Sequence, residues 1–322
     1  MMQTPSPTSA KFLFRRLDQF SPQLMDNVIE SAQAEHLQLG KGAFNGDLLR
    51  VLSEGKVLDS GIYSQSILGR AGMPAGRVSL VLVLPARTGG ILDGRRLDLP
   101  NPFLYTEGVE LDCRLEPGTR WVCFQVPRGE IEACGLPVPG TYSGAVRCGY
   151  KQLERLTRGV LATLNELASS ALANSDPMRS AHFAEECFDG LLAAFVSALS
   201  PEPSPPSVTA SRSHRQLVRR AEECIDTHLA DTLRIKDLCA TSDVSYKTLE
   251  RAFLAVLGVT PRRYLSLSRL ARARRLLLEA KQETTRVTDV ALACGYDELG
   301  RFSINYRQWF GEKPSHTLSR SA

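Results

Sequence analysis

Cysteine and histidine are the residues whose spacing could indicate a metal site or a redox centre, and in this chain they are scattered. The sequence of 322 residues holds eight Cys, and no two of them lie closer than ten residues apart. Zinc sites and redox motifs commonly use the Cys-x-x-Cys spacing, which does not occur. No His lies between residues 37 and 181. We therefore predict no metal site, no catalytic residues and no cofactor, and we expect the thiols to be reduced and buried.

Basic side chains are the second group that could do chemistry, and they concentrate near the C-terminus. Residues 214–322 carry 19 Lys and Arg against 13 Asp and Glu, a net charge of +6, whereas the whole chain has a net charge of +4. A local basic excess is typical of a region that contacts a polyanion.

An internal repeat supplies the elements that must position these charges. The segment IKDLCATSDVSYKTLERAFLAVLGVTP, from Ile235, matches VTDVALACGYDELGRFSINYRQWFGEKP, from Val287, at an offset of 52 and then 53 residues. Each copy predicts a short helix, a tight turn and a second helix, which is the plan of a helix-turn-helix. In the first copy Ser245 is a predicted N-cap, and Leu249 and Phe253 form the buried face.

The outward side chains and the spacing of the two copies both suit DNA. The residues that point away from the core of the first copy are Tyr246, Lys247, Glu250 and Arg251. Between the copies, Thr260 and Pro261 begin a predicted continuous helix of roughly 20 residues, or about 30 Å. One turn of DNA is about 34–36 Å, so two second helices on this spacer fit successive major grooves.

The N-terminal half has a different composition. Within residues 40–150, short runs such as VSLVLVL and WVCFQV alternate with Gly and Pro turns, which predicts a small barrel or sandwich. The aromatic residues of this region are Tyr63, Phe103, Tyr105, Trp121 and Phe124. They either line a pocket for a small organic ligand or fill the core, and both alternatives stay open.

Two helices and a linker follow the predicted barrel. Residues 151–199 place leucines at steps of three and four, which predicts helices that pack either on their own domain or against a second copy of the chain. Residues 200–213, SPEPSPPSVTASRS, are proline-rich and predict a linker.

The C-terminal pattern resembles the AraC/XylS family of transcription regulators. The positions that carry the resemblance are Ser245, Leu249, Arg251, Phe253, Gly258, Pro261, Tyr264, Arg269, Leu270, Ala273, Val290, Ala291, Gly295, Tyr296, Phe302, Phe310, Gly311, Pro314 and Ser315. The second copy is most similar to a subgroup that includes ethanolamine-operon regulators. It departs from the wider family at Arg301, where Tyr or His is common, and at Ile304, where Arg is usual.

The resemblance implies an α+β fold in two domains. The N-terminal part, residues 1–199, would be an effector-binding and dimerisation domain, with a cupin-like β-barrel over 40–150 and a helical dimerisation segment over 151–199. After the linker, residues 214–322 would form an all-α DNA-binding domain. Its helix-turn-helix motifs, at about 235–256 and 287–310, would be joined by a long helix.

The resemblance also implies roles for single residues. Base-reading candidates are Lys247, Glu250 and Arg251 in the first motif and Gly300, Arg301 and Asn305 in the second. Candidates for contacts with the DNA backbone are Ser245, Tyr246 and Arg262. The effector-pocket candidates are the five aromatic residues of the predicted barrel.

The function implied is that of a sequence-specific, ligand-responsive activator. Its expected partners are double-stranded DNA, a small-molecule effector, RNA polymerase and a second copy of the chain. The longest apolar run, Val78 to Ala86, is too short to span a membrane, and no signal peptide is visible, so we expect a cytoplasmic protein without membrane contact. Three alternatives remain: a repressor of the same fold, an enzyme barrel fused to a DNA-binding module, and a non-specific architectural DNA binder.

Overall fold

The computed structural model describes residues 10–18, 20, 22, 34–86, 90–172, 177–199, 212–228, 233–281 and 284–320. Most of the predicted linker, residues 200–211, lies outside this part of the chain. Among the described helices none is long and apolar enough to cross a membrane.

The N-terminal half is built from antiparallel strands. They are β1 (Lys11–Leu17), β2 (Ala34–Gln38), β3 (Gly46–Ser53), β4 (Lys56–Tyr63), β5 (Ile67–Gly72), β6 (Arg77–Leu84), β7 (Gly90–Leu92), β8 (Arg95–Leu97), β9 (Asn101–Thr106), β10 (Glu110–Leu115), β11 (Arg120–Pro127) and β12 (Ser143–Ala145). The described strands form a seven-stranded sheet, in the order β1-β3-β4-β11-β6-β9-β12, and a five-stranded sheet, in the order β2-β5-β10-β7-β8.

Two-residue turns with positive φ fix the register of two hairpins. Glu54 (φ 42°) and Gly55 (φ 81°) join β3 to β4, and Asp93 (φ 50°) and Gly94 (φ 76°) join β7 to β8. Two consecutive residues with φ above zero are the mark of the type I′ turn, whose twist matches that of paired strands. The Asp93-Gly94 pair is therefore a local sequence signal for the turn that is observed between β7 and β8.

The side chains of β6 alternate between two hydrophobic cores, one on each face of the large sheet. Val78, Leu80 and Leu82 point into a cluster beneath the helices, whereas Val81 and Val83 point between the two sheets. Both faces of the strand are buried, so its sequence is almost continuously apolar. The α+β prediction is confirmed in this form. The predicted barrel is not closed, because no pairing joins the two sheets among the described strands.

Helices cover the outer face of the large sheet. They are α1 (Arg128–Ala133), α2 (Tyr150–Leu172) and α3 (Pro177–Ala198). The leucine stripe of α2 shares one cluster with the sheet and α3; its buried members are Leu156, Val160, Leu164 and Leu167. Of the two alternatives for this stripe, packing on the chain's own domain is the one observed.

The C-terminal half is helical. Its elements are α4 (Arg212–His228), α5 (Ile235–Thr241), α6 (Tyr246–Val256), α7 (Pro261–Glu279), α8 (Val287–Ala293), α9 (Leu299–Phe310) and α10 (Pro314–Ser319). The predicted long helix is present as α7, which begins as expected: the Thr260 side chain accepts a hydrogen bond from Arg263 N, and Pro261 is the first helical residue. The helix separates a core around α6 from a core around α9.

Candidate nucleic-acid interface

The second helix of the first motif, α6, has one buried face and one exposed face. The Ser245 hydroxyl caps it by accepting a hydrogen bond from Thr248 N at 3.2 Å. Leu249 and Phe253 are fully buried, which fixes the rotation of the helix. At 100° per residue, position 251 lies about 200° from position 249, on the opposite side. Arg251 is exposed there, on the face that a recognition helix turns to DNA.

The other outward residues of α6 surround Arg251. Lys247 is exposed one turn earlier, and Glu250 is half-buried on the flank. The Tyr246 hydroxyl donates a hydrogen bond to Glu250 Oε1 at 2.9 Å, and this bond raises the pKa of Tyr246. The Glu250 carboxylate therefore has one oxygen engaged within the chain, which leaves the other to accept from a base. Arg262, at the start of α7, is also exposed.

The second motif repeats this backbone geometry. Asp243 (φ 50°) and Gly295 (φ 74°), at an offset of 52, both adopt the left-handed conformation in the turn before the second helix. Gly258 (φ 67°) and Gly311 (φ 77°), at an offset of 53, do so after its end. The inserted residue therefore lies in the turn, between these two pairs. Equivalent positions in α6 and α9 consequently differ by 53.

The outward face of α9 differs from that of α6 in its chemistry. Phe302 and Tyr306 are buried, and Gly300, Arg301 and Ile304 are exposed, with Ile304 at the position equivalent to Arg251. Asn305 is half-buried and lies toward the side of the helix. Gly300 and Arg301 thus share one exposed surface, and Asn305 lies at the edge of that surface.

The long helix sets the separation of the two motifs. The 19 residues of α7 span about 28 Å at 1.5 Å per residue. Its buried residue Arg274 fixes the second motif, because Nη1 donates to Glu312 Oε1 at 2.9 Å and the guanidinium stacks 4.5 Å from the Phe310 ring. A helix of this length between the two motifs suits two second helices in successive major grooves, which lie about 34–36 Å apart.

Four of the five predicted effector residues lie in or against the core between the two sheets, and Phe124 does not. Tyr63, Phe103 and Tyr105 are buried in the core between the two sheets, where the Tyr105 hydroxyl donates to Asp93 at 2.8 Å. Phe124 lies on the other face of β11, in the core beneath the helices. Trp121 lines a cavity of about 90 Å³ between the sheets. A cavity of that volume holds only a few atoms, so most of the predicted pocket is core.

A larger cavity, to which no local sequence pattern pointed, lies where the five-stranded sheet meets α4 and α7. Its volume is about 560 Å³. The charged residues that line it are Glu35, Arg70, Asp112, Glu222, Asp226, Arg272 and Arg275. At its edge the Arg70 guanidinium bonds both Asp112, at 2.9 Å, and Glu222. Burial raises the pKa of the Glu222 carboxyl to about 7, while Arg70 acts in the opposite direction.

Further contacts join the sheet to both motifs. Arg114 Nη1 donates to the Gly258 carbonyl at 2.8 Å, at the end of α6. Gly42 N donates to the Trp309 carbonyl at 2.8 Å, near the end of α9. Arg263 Nη2 donates to the Leu39 carbonyl at 3.0 Å. The N-terminal half therefore touches both motifs at their equivalent ends, away from Lys247 and the other outward residues.

Comparison with known proteins shows what the C-terminal part of the chain is similar to. A family model described as a helix-turn-helix domain matches residues 238–320. The probable thc operon regulatory protein of Rhodococcus erythropolis is 31% identical over 147 residues, which is 44% of this chain and 42% of that protein. The XylDLEGF operon transcriptional activator of Pseudomonas putida is 32% identical over 99 residues, which is 31% of each. This chain thus spans less than half the length of either relative.

A solved structure of similar sequence also matches. A probable AraC family transcriptional regulator from Rhodopseudomonas palustris is 37% identical, and the match covers 33% of this chain and 97% of that one with a TM-score of 0.30. Residues 238–320 therefore form a helix-turn-helix domain, and the relatives that match this part of the chain are transcription regulators, in agreement with the resemblance to the AraC/XylS family.

Proposed function

We propose that this protein is a sequence-specific DNA-binding transcription regulator that responds to a small molecule and activates transcription. The observation that carries the proposal is the pairing of two helix-turn-helix motifs at the two ends of α7, each with an exposed arginine, Arg251 or Arg301, on its second helix. The length of α7, about 28 Å, is close to one turn of DNA, which suits the entry of α6 and α9 into successive major grooves. Activation is suggested by the name of the Pseudomonas putida relative.

The exposed cations of the two helices support base reading. Arg and Lys can each donate to the O6 and N7 acceptors of guanine, so Lys247 and Arg251 fit a guanine-containing half-site. Arg301 fits the second half-site in the same way. Ser245, Tyr246 and Arg262 lie at the start of α6 and of α7, where contacts to phosphate would set the register without reading sequence.

The larger cavity supports the effector part of the proposal. Its volume of about 560 Å³ falls within the range of roughly 300–1,000 Å³ that is usual for ligand sites. The mixed charges of its lining suit a small, polar, charged molecule. A ligand here would touch both the sheet and the helices α4 and α7, so its affinity would depend on how the two halves are docked. Such a difference in affinity is what couples a ligand to a conformational change.

Dimerisation and contact with RNA polymerase complete the proposal. Leu161 and Leu172 are exposed on α2 and lie eleven residues apart, or about three turns, so they share one flank of the helix. We assign this flank to the contact between two copies. RNA polymerase is the partner that activation requires, and the cytoplasm is where we expect the DNA target.

Genomic-fragment binding tests the proposal. The full chain is incubated with sheared DNA from its own organism at near-physiological salt, and the retained fragments are sequenced. We expect a few promoter sites, each with two half-sites about one helical turn apart and about 10³-fold preferred over other DNA. Arg251→Ala should lower the enrichment of these sites and relax the preference at one base pair. Arg155→Ala removes an exposed arginine from α2 and should leave it intact. Uniform recovery of all fragments would instead indicate an architectural binder, and that result would contradict the proposal.

A further inference from the structure

The centre of the outward face of α9 is apolar, which is unusual for a helix that meets a polyanion. Ile304 is 59% exposed, one of the most exposed large apolar side chains among the described residues. It lies about 200° around the helix from the buried Phe302. Arg251 has the same relation to Leu249 in α6, so an isoleucine stands where the first motif presents a guanidinium.

Gly300 extends this apolar centre by one turn toward the start of α9. Its φ is not positive, so the backbone conformation does not require glycine. Within the described residues, a Cβ added at Gly300 would meet no atom closer than 4 Å, so packing inside the chain does not require glycine either. Glycine is a poor helix former. The missing side chain does, however, allow an outside surface to approach the helix backbone closely at this point.

Cations border the apolar centre. Arg301 and Arg307 are exposed on its two sides, and Ser303 and Gln308 are exposed beside them. A purely apolar protein surface would bury these two guanidinium groups at a cost, whereas a DNA groove supplies phosphates and base acceptors to such groups. The apolar group that the major groove offers between its phosphate walls is the C5-methyl group of thymine.

We propose that Ile304 contacts the methyl group of a thymine in the second half-site, and that Gly300 allows the helix to approach closely enough for this contact. The inference rests on the proposed DNA-binding function and adds a specificity to it. The first half-site is then read by donors from Lys247 and Arg251, whereas the second is specified at an A·T pair. The two half-sites therefore present different base contacts, and the operator is asymmetric.

Deoxyuridine substitution tests the contact, because it removes the thymine methyl group and leaves the base pairing unchanged. Starting from an operator recovered with genomic DNA, each thymine is replaced singly, and the Kd is measured by fluorescence anisotropy at fixed salt. We expect one position in the second half-site to lose about fourfold in affinity, which is the effect of one buried methyl group expressed as a binding ratio. Ile304→Ala should bind thymine and deoxyuridine equally at that position.

Two further variants separate this contact from indirect effects. Gly300→Ala should weaken binding to the second half-site without lowering the thermal stability of the protein, because the added methyl group meets only the DNA. Leu292→Ala removes an equally exposed apolar side chain from α8, at 56% exposure, and should leave the sensitivity to deoxyuridine intact.

The results distinguish failure of the inference from failure of the proposed function. If the chain binds its operator specifically but tolerates deoxyuridine at every position, the thymine contact is wrong and the regulator proposal stands. If Ile304→Ala leaves all DNA affinities unchanged and reduces only transcription with RNA polymerase, Ile304 contacts a protein and the inference is overturned. If no sequence is preferred at all, the proposed function itself fails.

Discussion

Removing the Arg70 guanidinium should loosen the contact between the two halves of the protein. Arg70 lies on β5 and pairs with Asp112 on β10 and Glu222 on α4, and the side chains are 21%, 18% and 4% exposed. Arg70→Met leaves the Glu222 carboxylate buried without its cation. Breaking a buried ion pair in this way costs about 3–5 kcal/mol. Because Arg70 is partly exposed to water, and because the Glu222 carboxyl, with a pKa already raised to about 7, can take up a proton, we expect at most the lower end, about 3 kcal/mol, or roughly a 150-fold change in the docking equilibrium.

Hydrogen exchange measures this change directly. Backbone amides of α4 that are protected by docking should exchange up to about 150-fold faster in Arg70→Met, whereas amides in the middle of β11 should be unaffected. Glu222→Gln in the same chain removes the unpaired charge and should restore much of the protection. Arg219→Met is the matched control. It breaks the Arg219–Glu110 pair across the same contact, but those side chains are 50% and 34% exposed, so the expected effect is below about fivefold.

The reasoning fails if the two substitutions are independent. The rates in the double variant would then equal the product of the two single effects, with no restoration by Glu222→Gln. It also fails if Arg219→Met loosens α4 as much as Arg70→Met does. In that case, the burial of an ion pair would have no influence on how much it stabilises the contact between the two halves.

Three further predictions concern recognition, packing and pH. Arg251→Ala should weaken operator binding by about 1–3 kcal/mol in anisotropy titrations and relax the preference at one base pair, and an equal loss on random DNA would contradict base reading. Phe253→Ala opens a cavity at a fully buried site and should lower the free energy of unfolding in urea by about 3–5 kcal/mol, whereas a loss below 1 kcal/mol would mean that the core closes around it. The pKa of Glu222 is raised from 4.5 to about 7, so the folded protein binds this proton more tightly than the unfolded chain. Stability should therefore fall as pH rises from about 4.5 to 7, and Glu222→Gln should lack that part of the pH dependence of the urea midpoint.

The DNA-binding motifs could be predicted from the sequence because their signals are local. Ser245 caps α6 and Thr260 and Pro261 start α7, as expected from residue type alone. The four-residue spacing of apolar positions in both copies of the repeat predicted which face of each second helix is buried and which points outward. The narrower resemblance to ethanolamine-operon regulators and the individual base contacts stay predictions.

The predicted effector residues include one separation that the strand pattern could have revealed. In β11, Trp121 and Cys123 face the space between the sheets, whereas Val122 and Phe124 face the helices. The period of two along a strand carries this information, so the separation of Trp121 from Phe124 could have been predicted once the strand was assigned.

The contact between the two halves had no such signal. Arg70 and Glu222 are 152 residues apart in the chain, and each lies in a segment whose local pattern is that of an ordinary strand or helix. Pairing of this kind depends on the packing of complete domains. For the same reason the cavity of about 560 Å³ beside the pair, which both halves line, could not be inferred from the order of the residues.

If the N-terminal half binds an effector, as we propose, the arrangement of the contacts determines how this binding can act on the DNA-binding motifs. Arg114 holds the end of α6 at Gly258, and Gly42 holds the end of α9 at Trp309. A sensor that touched one motif would change the affinity for one half-site. Here the sheet touches both motifs at equivalent ends, while their outward faces stay exposed. A ligand that alters the docking of the sheet therefore changes the support of both recognition helices at once, and it can do so through these direct contacts, without a signal through residues 200–213.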